Sequence, residues 1–156
     1  MKIAGIIDSS VVNGEGMRTV IFTTGCNHNC KGCHNKELQD PHCGKEMCYR
    51  ELTDIVKTNL PLIDGVTISG GDPFHKSTEL REFLRDLRGE IPGINVWVYT
   101  GYTYEELIEM KQQLTLELID VLIDGKFDID KLTTDIKYIG STNQRILKLI
   151  NGVPVE

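Results

Sequence analysis

The chain has 156 residues, with 17 Lys and Arg against 23 Asp and Glu and a formal net charge of -6. A chain of this length usually forms one domain around one hydrophobic core, so we expect residues 1–156 to be a single domain with one site. The acidic balance argues against binding to nucleic acid or to an anionic membrane. No segment approaches the roughly 20 apolar residues of a membrane helix, and no signal peptide is recognisable, so we expect a cytoplasmic protein.

Strand-like and helix-like patterns alternate along the chain. In chain order they predict a strand at Thr19–Thr23, a helix from about Tyr49 to Asn59, a strand at Val66–Ser69, a helix at Ser77–Leu87, a strand at Asn95–Tyr99, a helix from Thr103 to about Gln113, a short helix before Val121, and a strand at Val121–Ile123. Ser77 is the expected N-cap of its helix, and Thr103 with Glu106 forms a capping-box pattern. Pro61 is expected to stop the first helix.

This alternation predicts an α/β fold in which functional groups collect at the carboxyl ends of parallel strands. A complete eight-unit barrel takes about 250 residues, so the chain is long enough only for a partial, laterally open β/α barrel with a mainly parallel sheet. The open side of such a barrel faces either solvent or a partner.

Three of the five cysteines, Cys26, Cys30 and Cys33, follow the first predicted strand in the pattern C-x-x-x-C-x-x-C. The odd count and the tight spacing do not suit disulfide bonds and indicate a metal site in a reducing compartment. Clusters of four irons usually take four thiolates, so three cysteines leave one iron open. Zinc is one alternative, because His28, His34 or a later cysteine would complete a closed set of four ligands. A group of free thiols is the other.

The cysteine loop resembles the signature of the radical S-adenosylmethionine superfamily. Within that superfamily, His34 and Asn35 in the G-C-H-N run resemble the activating proteins of glycyl-radical enzymes, above all those of anaerobic ribonucleoside-triphosphate reductase. The resemblance implies that Cys26, Cys30 and Cys33 hold one 4Fe-4S cluster. It also implies that the open iron binds the amino and carboxylate groups of S-adenosylmethionine.

The same resemblance implies a reaction and two partners. An electron from the cluster splits S-adenosylmethionine into methionine and a 5′-deoxyadenosyl radical, which takes hydrogen from a glycine of another enzyme. The expected partners are the large catalytic subunit of anaerobic ribonucleotide reductase, through its glycine-bearing loop, and a low-potential electron donor. The alternatives are an activase of pyruvate formate-lyase, for which the chain is short, a small-molecule enzyme such as a 7-deazapurine synthase, and a zinc-binding interaction module.

Several backbone positions are expected to bind the cofactor. Gly32 stands where many superfamily members carry an aromatic residue, so the nucleobase is expected to contact the backbone from Gly32 through Cys33 to His34. The S-G-G-D-P turn after the second predicted strand resembles the turn that holds the cofactor's amino group, which assigns this role to Gly70, Gly71 and Asp72. The backbone at such glycines approaches a ligand closely.

The later strand ends belong to the same expected rim. Thr100 follows the third predicted strand, and the resemblance makes Asp124 to Lys126 a cofactor-contacting segment and also assigns Asn35 of the cysteine loop to the cofactor. Lys126 either pairs with the cofactor carboxylate or is a solvated turn residue.

Other features carry weaker expectations. The V-N-G-E-G-M-R run resembles a family motif, and its Arg18 either bridges the cluster loop to a partner or is a surface residue. The Gly140–Arg145 segment also resembles the family, with no role assigned. Cys43 and Cys48 are expected to be reduced thiols and not a second metal site, and Trp97 is expected in the core.

Overall fold

The computed structural model describes residues 1–155, which form eight strands and four α-helices. The strands are β1 Lys2–Ser10, β2 Arg18–Thr23, β3 Lys45–Glu46, β4 Gly65–Gly70, β5 Asn95–Tyr99, β6 Val121–Asp124, β7 Arg145–Ile150 and β8 Val153–Val155. The helices are α1 Tyr49–Asn59, α2 Ser77–Glu90, α3 Tyr104–Glu109 and α4 Gln113–Leu116. None of the helices in residues 1–155 has both the length and the apolar character needed to cross a bilayer.

All eight strands belong to one open sheet in the order β3-β1-β2-β4-β5-β6-β7-β8. The central strands β2, β4, β5 and β6 are parallel, and they are the four that the sequence predicts. The strands on both margins pair antiparallel. The open α/β architecture is confirmed, whereas the predicted alternation of strand and helix throughout the chain is wrong at the two margins.

The helices cover one face of the sheet and bury a single main core against it. Val66, Val96 and Leu122 on that face pack with apolar side chains of α1 and α2. The apolar residues that recur at helical spacing in α2 are all buried, namely Leu80, Phe83, Leu84 and Leu87. Helix α1 has the predicted bounds, and the chain then continues through a short 3-10 turn that contains Pro61.

Two details of the predicted helices need correction. Ser77 is the first residue of α2 and not its N-cap, because a 3-10 turn at Pro73–Lys76 leads into the helix and is itself capped by the Asp72 side chain. The capping box of Thr103 and Glu106 is confirmed. Helix α3 nevertheless ends at Glu109, since Lys111 adopts a left-handed backbone conformation with φ 59° that an α-helix does not continue through.

The other face of the sheet holds Trp97, which is buried as predicted and has the ring of Tyr138 at its edge. The Arg18 guanidinium lies 5.3 Å from the centroid of the Trp97 ring. Arg18 is only 1% exposed and donates hydrogen bonds to Thr67 Oγ1 at 2.8 Å and to Asn95 Oδ1 at 2.9 Å.

Both expectations for Arg18 are therefore wrong. It begins β2, at the end of the parallel strands opposite to the cysteines, so it neither bridges the cysteine loop nor lies on the surface. Burial lowers its pKa to about 10, although the negative charges of Asp120 and Asp64 partly oppose this effect. Arg18 acts as an internal tie between neighbouring strands.

Candidate functional site

An open pocket of about 720 Å³ lies at the carboxyl ends of the parallel strands. Segments that follow β2, β4, β5 and β6 line it, together with residues 132–140 and the loop at Val11–Asn13. Parallel strands present their carboxyl ends at the same edge of a sheet, which is why distant segments of the chain meet here.

The pocket brings together most of the residues that the sequence singles out. Its lining includes Cys26, Cys30, Cys33, His34, Asn35, Gly70, Gly71 and Thr100. Gly32, Asp72, Asp124 and Lys126 are not part of the lining. Asp72 and Asp124 are buried beneath the rim, and Lys126 is exposed beside it. The contacts of these four residues with a cofactor stay predictions.

The cysteine loop is tied to the strand ends by backbone hydrogen bonds. Gly25 N donates to Leu38 O at 2.7 Å, and Cys26 N donates to Gln39 O at 3.1 Å. On the other side, Asp72 N donates to Gly25 O at 2.8 Å. The first cysteine is therefore fixed by its neighbours, and the rest of the loop projects to the pocket.

The thiols of this loop are free and partly buried. Burial raises the pKa of Cys26, and the backbone of His28 partly opposes this effect. Burial and the neighbouring Cys33 raise the pKa of Cys30, and the backbone of Phe127 partly opposes this effect. Thiols of raised pKa stay protonated at neutral pH unless a cation replaces the proton, so metal binding here releases protons.

The spacing of the sulfurs distinguishes a cluster from a single ion. Ligands around one zinc at a Zn–S distance of about 2.3 Å lie roughly 3.8 Å apart in a tetrahedral arrangement. Within residues 1–155, ligand atoms of Cys26, His28 and Asp72 all lie within 4.8 Å of one another, whereas the three cysteine sulfurs do not. Three thiolates spread more widely around one pocket fit the corners of a four-iron cluster better than one zinc ion.

Asp72 and His28 form a buried pair beside the cysteine loop. His28 Nε2 lies 2.6 Å from Asp72 Oδ2, and the two side chains are 6% and 2% exposed. Thr100 Oγ1 donates to the same carboxylate, as do the backbone N–H groups of Gly101 and Phe74. From the sequence, His28 is expected only as a candidate zinc ligand. Its position midway between Cys26 and Cys30 is the one sequence feature that indicates a structural role.

Asp124 is the corresponding buried acid at the end of β6. Its carboxylate accepts the backbone N–H of Tyr104 at 2.7 Å and pairs with Arg145, which also contacts Glu105. Asp124, and next Glu105, raise the pKa of Arg145 above its ordinary value. Asp124 thus joins β6, α3 and β7, and its oxygens are engaged inside the protein.

The Gly140–Arg145 segment supports the turn that follows Asp124. Asn143 Nδ2 donates to Lys126 O at 2.7 Å, and Gln144 Nε2 donates to Gly125 O at 3.1 Å. The supported turn reaches the cysteine loop, where the ring of Phe127 lies 5.1 Å from the ring of His34. Gln144 lies in the segment that resembles the family, but no local pattern indicates its contacts or those of Phe127, because these contacts bridge distant segments of the chain.

Ile129 explains the absence of an aromatic residue before the third cysteine. A Cβ atom at Gly32 would lie 3.1 Å from Ile129 Cδ1, and Gly32 has a φ of +76° that favours glycine. An aromatic side chain at this position would collide with the segment that covers the loop.

The two remaining cysteines lie away from the pocket lining. Cys43 Sγ lies 3.5 Å from Glu37 O, and Cys48 is exposed at the N-cap of α1. Neither of them belongs to a three-ligand group among residues 1–155. Their geometry gives no support to a second metal site in this part of the chain.

Comparison with known proteins adds a consistent result. The family model described as "4Fe-4S single cluster domain" matches residues 12–147. The chain is 39% identical over 147 residues to a Pasteurella multocida protein, covering 90% of this chain and 92% of the relative. It is 36% identical over 140 residues to an Escherichia coli protein, covering 86% and 90%. Both relatives are named anaerobic ribonucleoside-triphosphate reductase-activating protein.

Proposed function

We propose, since this chain belongs to the family of anaerobic ribonucleoside-triphosphate reductase-activating proteins and carries its 4Fe-4S cluster domain, that Cys26, Cys30 and Cys33 hold the cluster and leave one iron for S-adenosylmethionine. The chain is an activating enzyme of the radical S-adenosylmethionine type. The observation that carries the cofactor proposal is the meeting of the three cysteines with the Gly70–Gly71 turn on one pocket.

The reaction follows from the chemistry that such a cluster supplies. Reduced by a low-potential one-electron donor, the bound cluster provides the electron that splits S-adenosylmethionine into methionine and a 5′-deoxyadenosyl radical. A hydrogen atom then passes from a glycine of the reductase to C5′, which leaves 5′-deoxyadenosine and a glycyl radical. The pocket walls hold the cofactor and limit access of water while this transfer takes place.

The Gly70–Gly71 turn is suited to hold the cofactor's amino group through the backbone. Gly70 has a φ of +119°, and a Cβ atom there would lie 2.3 Å from Thr23 O. Only glycine fits so close to the neighbouring strand end. Thr100 and Asn35 supply polar groups on the same wall, and the backbone of Gly32, Cys33 and His34 is assigned to the nucleobase.

The roles of the charged rim residues differ from one another. Lys126 is exposed at the turn after β6, where it is free to pair with the cofactor carboxylate. Asp124 is assigned to hold this turn in place, because Arg145 and the Tyr104 backbone occupy its oxygens.

The partner's glycine-bearing loop is expected to enter through the open side of the pocket. Val11, Val12, Leu132 and Ile136 lie at the pocket and are all exposed apolar side chains. Apolar groups grouped on a surface are typical of a protein interface. The large catalytic subunit of anaerobic ribonucleotide reductase is the partner that the family membership supports.

We also infer a single domain in a reducing compartment, consistent with the cytoplasm. One sheet includes strands from Lys2 to Val155, which supports one folding unit. The five cysteines are free, which supports a compartment that keeps thiols reduced.

The decisive experiment reconstitutes the protein without oxygen and measures iron and labile sulfide. The reduced protein is then mixed with S-adenosylmethionine and followed by electron paramagnetic resonance, first alone and then with the reductase subunit. We expect the cluster signal to change on cofactor addition and a glycyl radical to form with the reductase. Stoichiometric zinc without labile sulfide would overturn the proposal.

A further inference from the structure

The buried Asp72–His28 pair is not used by the proposed reaction. Four donors surround the Asp72 carboxylate, namely His28 Nε2, Thr100 Oγ1 and the backbone N–H groups of Gly101 and Phe74. Their distances to the nearest carboxylate oxygen range from 2.6 to 2.9 Å. A carboxylate has about four acceptor positions, so these donors leave none for an ammonium group in the pocket.

Burial supports the same conclusion. Asp72 is 2% exposed and is absent from the pocket lining, although Gly70, Gly71 and Thr100 around it are present. Direct contact between Asp72 and the cofactor would require the carboxylate to give up buried hydrogen bonds and would leave their donors unpaired, which is unfavourable. Asp72 is therefore better suited to hold protein groups than to hold the cofactor.

His28 carries the effect of Asp72 into the cysteine loop. Its ring contacts Tyr102 edge-on, with ring centroids 4.4 Å apart. The ring also lies so close to Gly101 that a Cβ atom there would be 2.5 Å from His28 Cδ2. A ring nitrogen of His28, an Asp72 carboxylate oxygen and the Cys26 sulfur all lie within 4.8 Å of one another. The charge, the hydrogen bonding and the solvent exposure around the sulfur ligands set the reduction potential of an iron–sulfur cluster.

We propose that Asp72 is a positioning residue that acts through His28, holding the His28 ring beside the Cys26 sulfur and thereby setting the reduction potential of the cluster. This inference rests on the proposed function, because it assumes a cluster on Cys26. It moves Asp72 from the cofactor-binding group to the support of the cluster. Thr100, which donates to Asp72 and also lines the pocket, connects this support to the cofactor side.

The first test measures the midpoint potential of the reconstituted cluster without S-adenosylmethionine. His28→Leu removes the ring that is paired with Asp72, so the potential is expected to become more negative, because the Asp72 carboxylate near the Cys26 sulfur then loses this polar partner. His28→Gln retains a donor that reaches Asp72 and should restore the wild-type potential. His42→Leu is the matched control, since His42 is exposed and its side chain makes no hydrogen bond within residues 1–155.

The second test uses Asp72→Asn, which keeps the shape of the side chain but turns an NH₂ group toward surrounding donors. We expect cofactor-free Asp72→Asn protein to lose iron to a chelator several times faster than wild type, with little change in KM for S-adenosylmethionine. A direct cofactor ligand predicts the reverse, an unchanged rate of iron loss and a raised KM. That reverse result, or an unchanged potential in cluster-loaded His28→Leu, overturns the inference.

Two outcomes separate this inference from the proposed function. If His28→Leu does not retain a cluster, Asp72→Asn decides through the rate of iron loss and KM. If wild-type protein holds no four-iron cluster, the proposed function itself fails. A wild-type cluster whose properties none of these substitutions alters leaves the proposed function intact and refutes only the positioning role.

Discussion

Cys30 occupies the centre of the cysteine loop, where burial and the neighbouring Cys33 thiol raise its pKa. Cys30→Ala removes one of three thiolates and leaves the cluster underligated. We expect the iron content to fall and 5′-deoxyadenosine production to be lost. The measurements are iron and sulfide analysis and chromatography of the products under anaerobic conditions.

Cys43→Ser and Cys48→Ser are the matched controls, because each removes a free thiol from outside the pocket lining. Both variants should keep the wild-type iron content. Loss of iron in either would indicate an auxiliary site, and continued production of 5′-deoxyadenosine by Cys30→Ala would contradict the assigned ligand set.

Arg18 gives a residue-scale prediction about stability. Arg18→Met leaves Thr67, the Val66 carbonyl and Asn95 without their charged donor in a buried position. We expect a loss of about 2–4 kcal/mol in the free energy of unfolding, since buried partners remain unpaired. Chemical denaturation followed by circular dichroism measures this loss. Arg85→Met, which removes an exposed Arg paired with Glu82, should cost less than about 1 kcal/mol, and an equal effect of both substitutions would refute the role of Arg18.

Single residues show where sequence reasoning succeeds and where it stops. Cys26, Cys30 and Cys33 are close in sequence, so their spacing alone predicts a shared site. Arg18 and Asp72 depend on partners 28 to 77 residues away, and no local pattern indicates those partners. The sequence therefore predicts the metal ligands but not the buried polar groups that support them.

At the scale of elements, the Gly140–Arg145 segment is expected to control the turn from Gly125 to Ile129. Gln144→Met removes the donor to Gly125 O and the acceptor for Gly140 N. The turn should then exchange its backbone amide hydrogens faster, because it loses its support while the sheet remains. Hydrogen exchange by mass spectrometry measures this change. Gln113→Met, at an exposed position of α4, is the control, and equal exchange in both variants would contradict the role of Gln144.

The sheet shows the same division between local and distant signals. The four central strands are predicted because they are short apolar runs, buried on both faces. Four of the six residues of β7 and two of the three residues of β8 are exposed, so neither strand has the buried apolar run that predicts the central strands. Helix α3 is overpredicted since the turn at Lys111 is not evident from residue types.

At the scale of the whole molecule, the exposed apolar side chains at the pocket are expected to bind the reductase. Val12→Glu and Ile136→Glu place charge on this surface, so glycyl radical formation should fall several-fold. Cofactor cleavage without the reductase should stay near the wild-type rate, because neither side chain is assigned a cluster or cofactor contact. Electron paramagnetic resonance and product analysis separate the two effects.

Leu62→Glu is the matched control for this surface, since Leu62 is 77% exposed and lies outside the pocket lining. It should not alter radical transfer. Equal radical yields in wild type, Val12→Glu and Ile136→Glu would place the docking surface elsewhere, and parallel loss of cofactor cleavage would show damage to the site itself.

The hydrogen bonds from Gly71 N to Thr23 O and from Asp72 N to Gly25 O continue the β2–β4 pairing beyond the ends of both strands. The cysteine loop and the glycine turn are thus two halves of one ladder, which forms as the strands align. A cysteine loop transplanted alone into another protein would lack the glycine turn and the strand ends to which it is hydrogen-bonded here. A graft intended to work as a miniature catalyst must carry both strand ends, in parallel register, as its smallest unit.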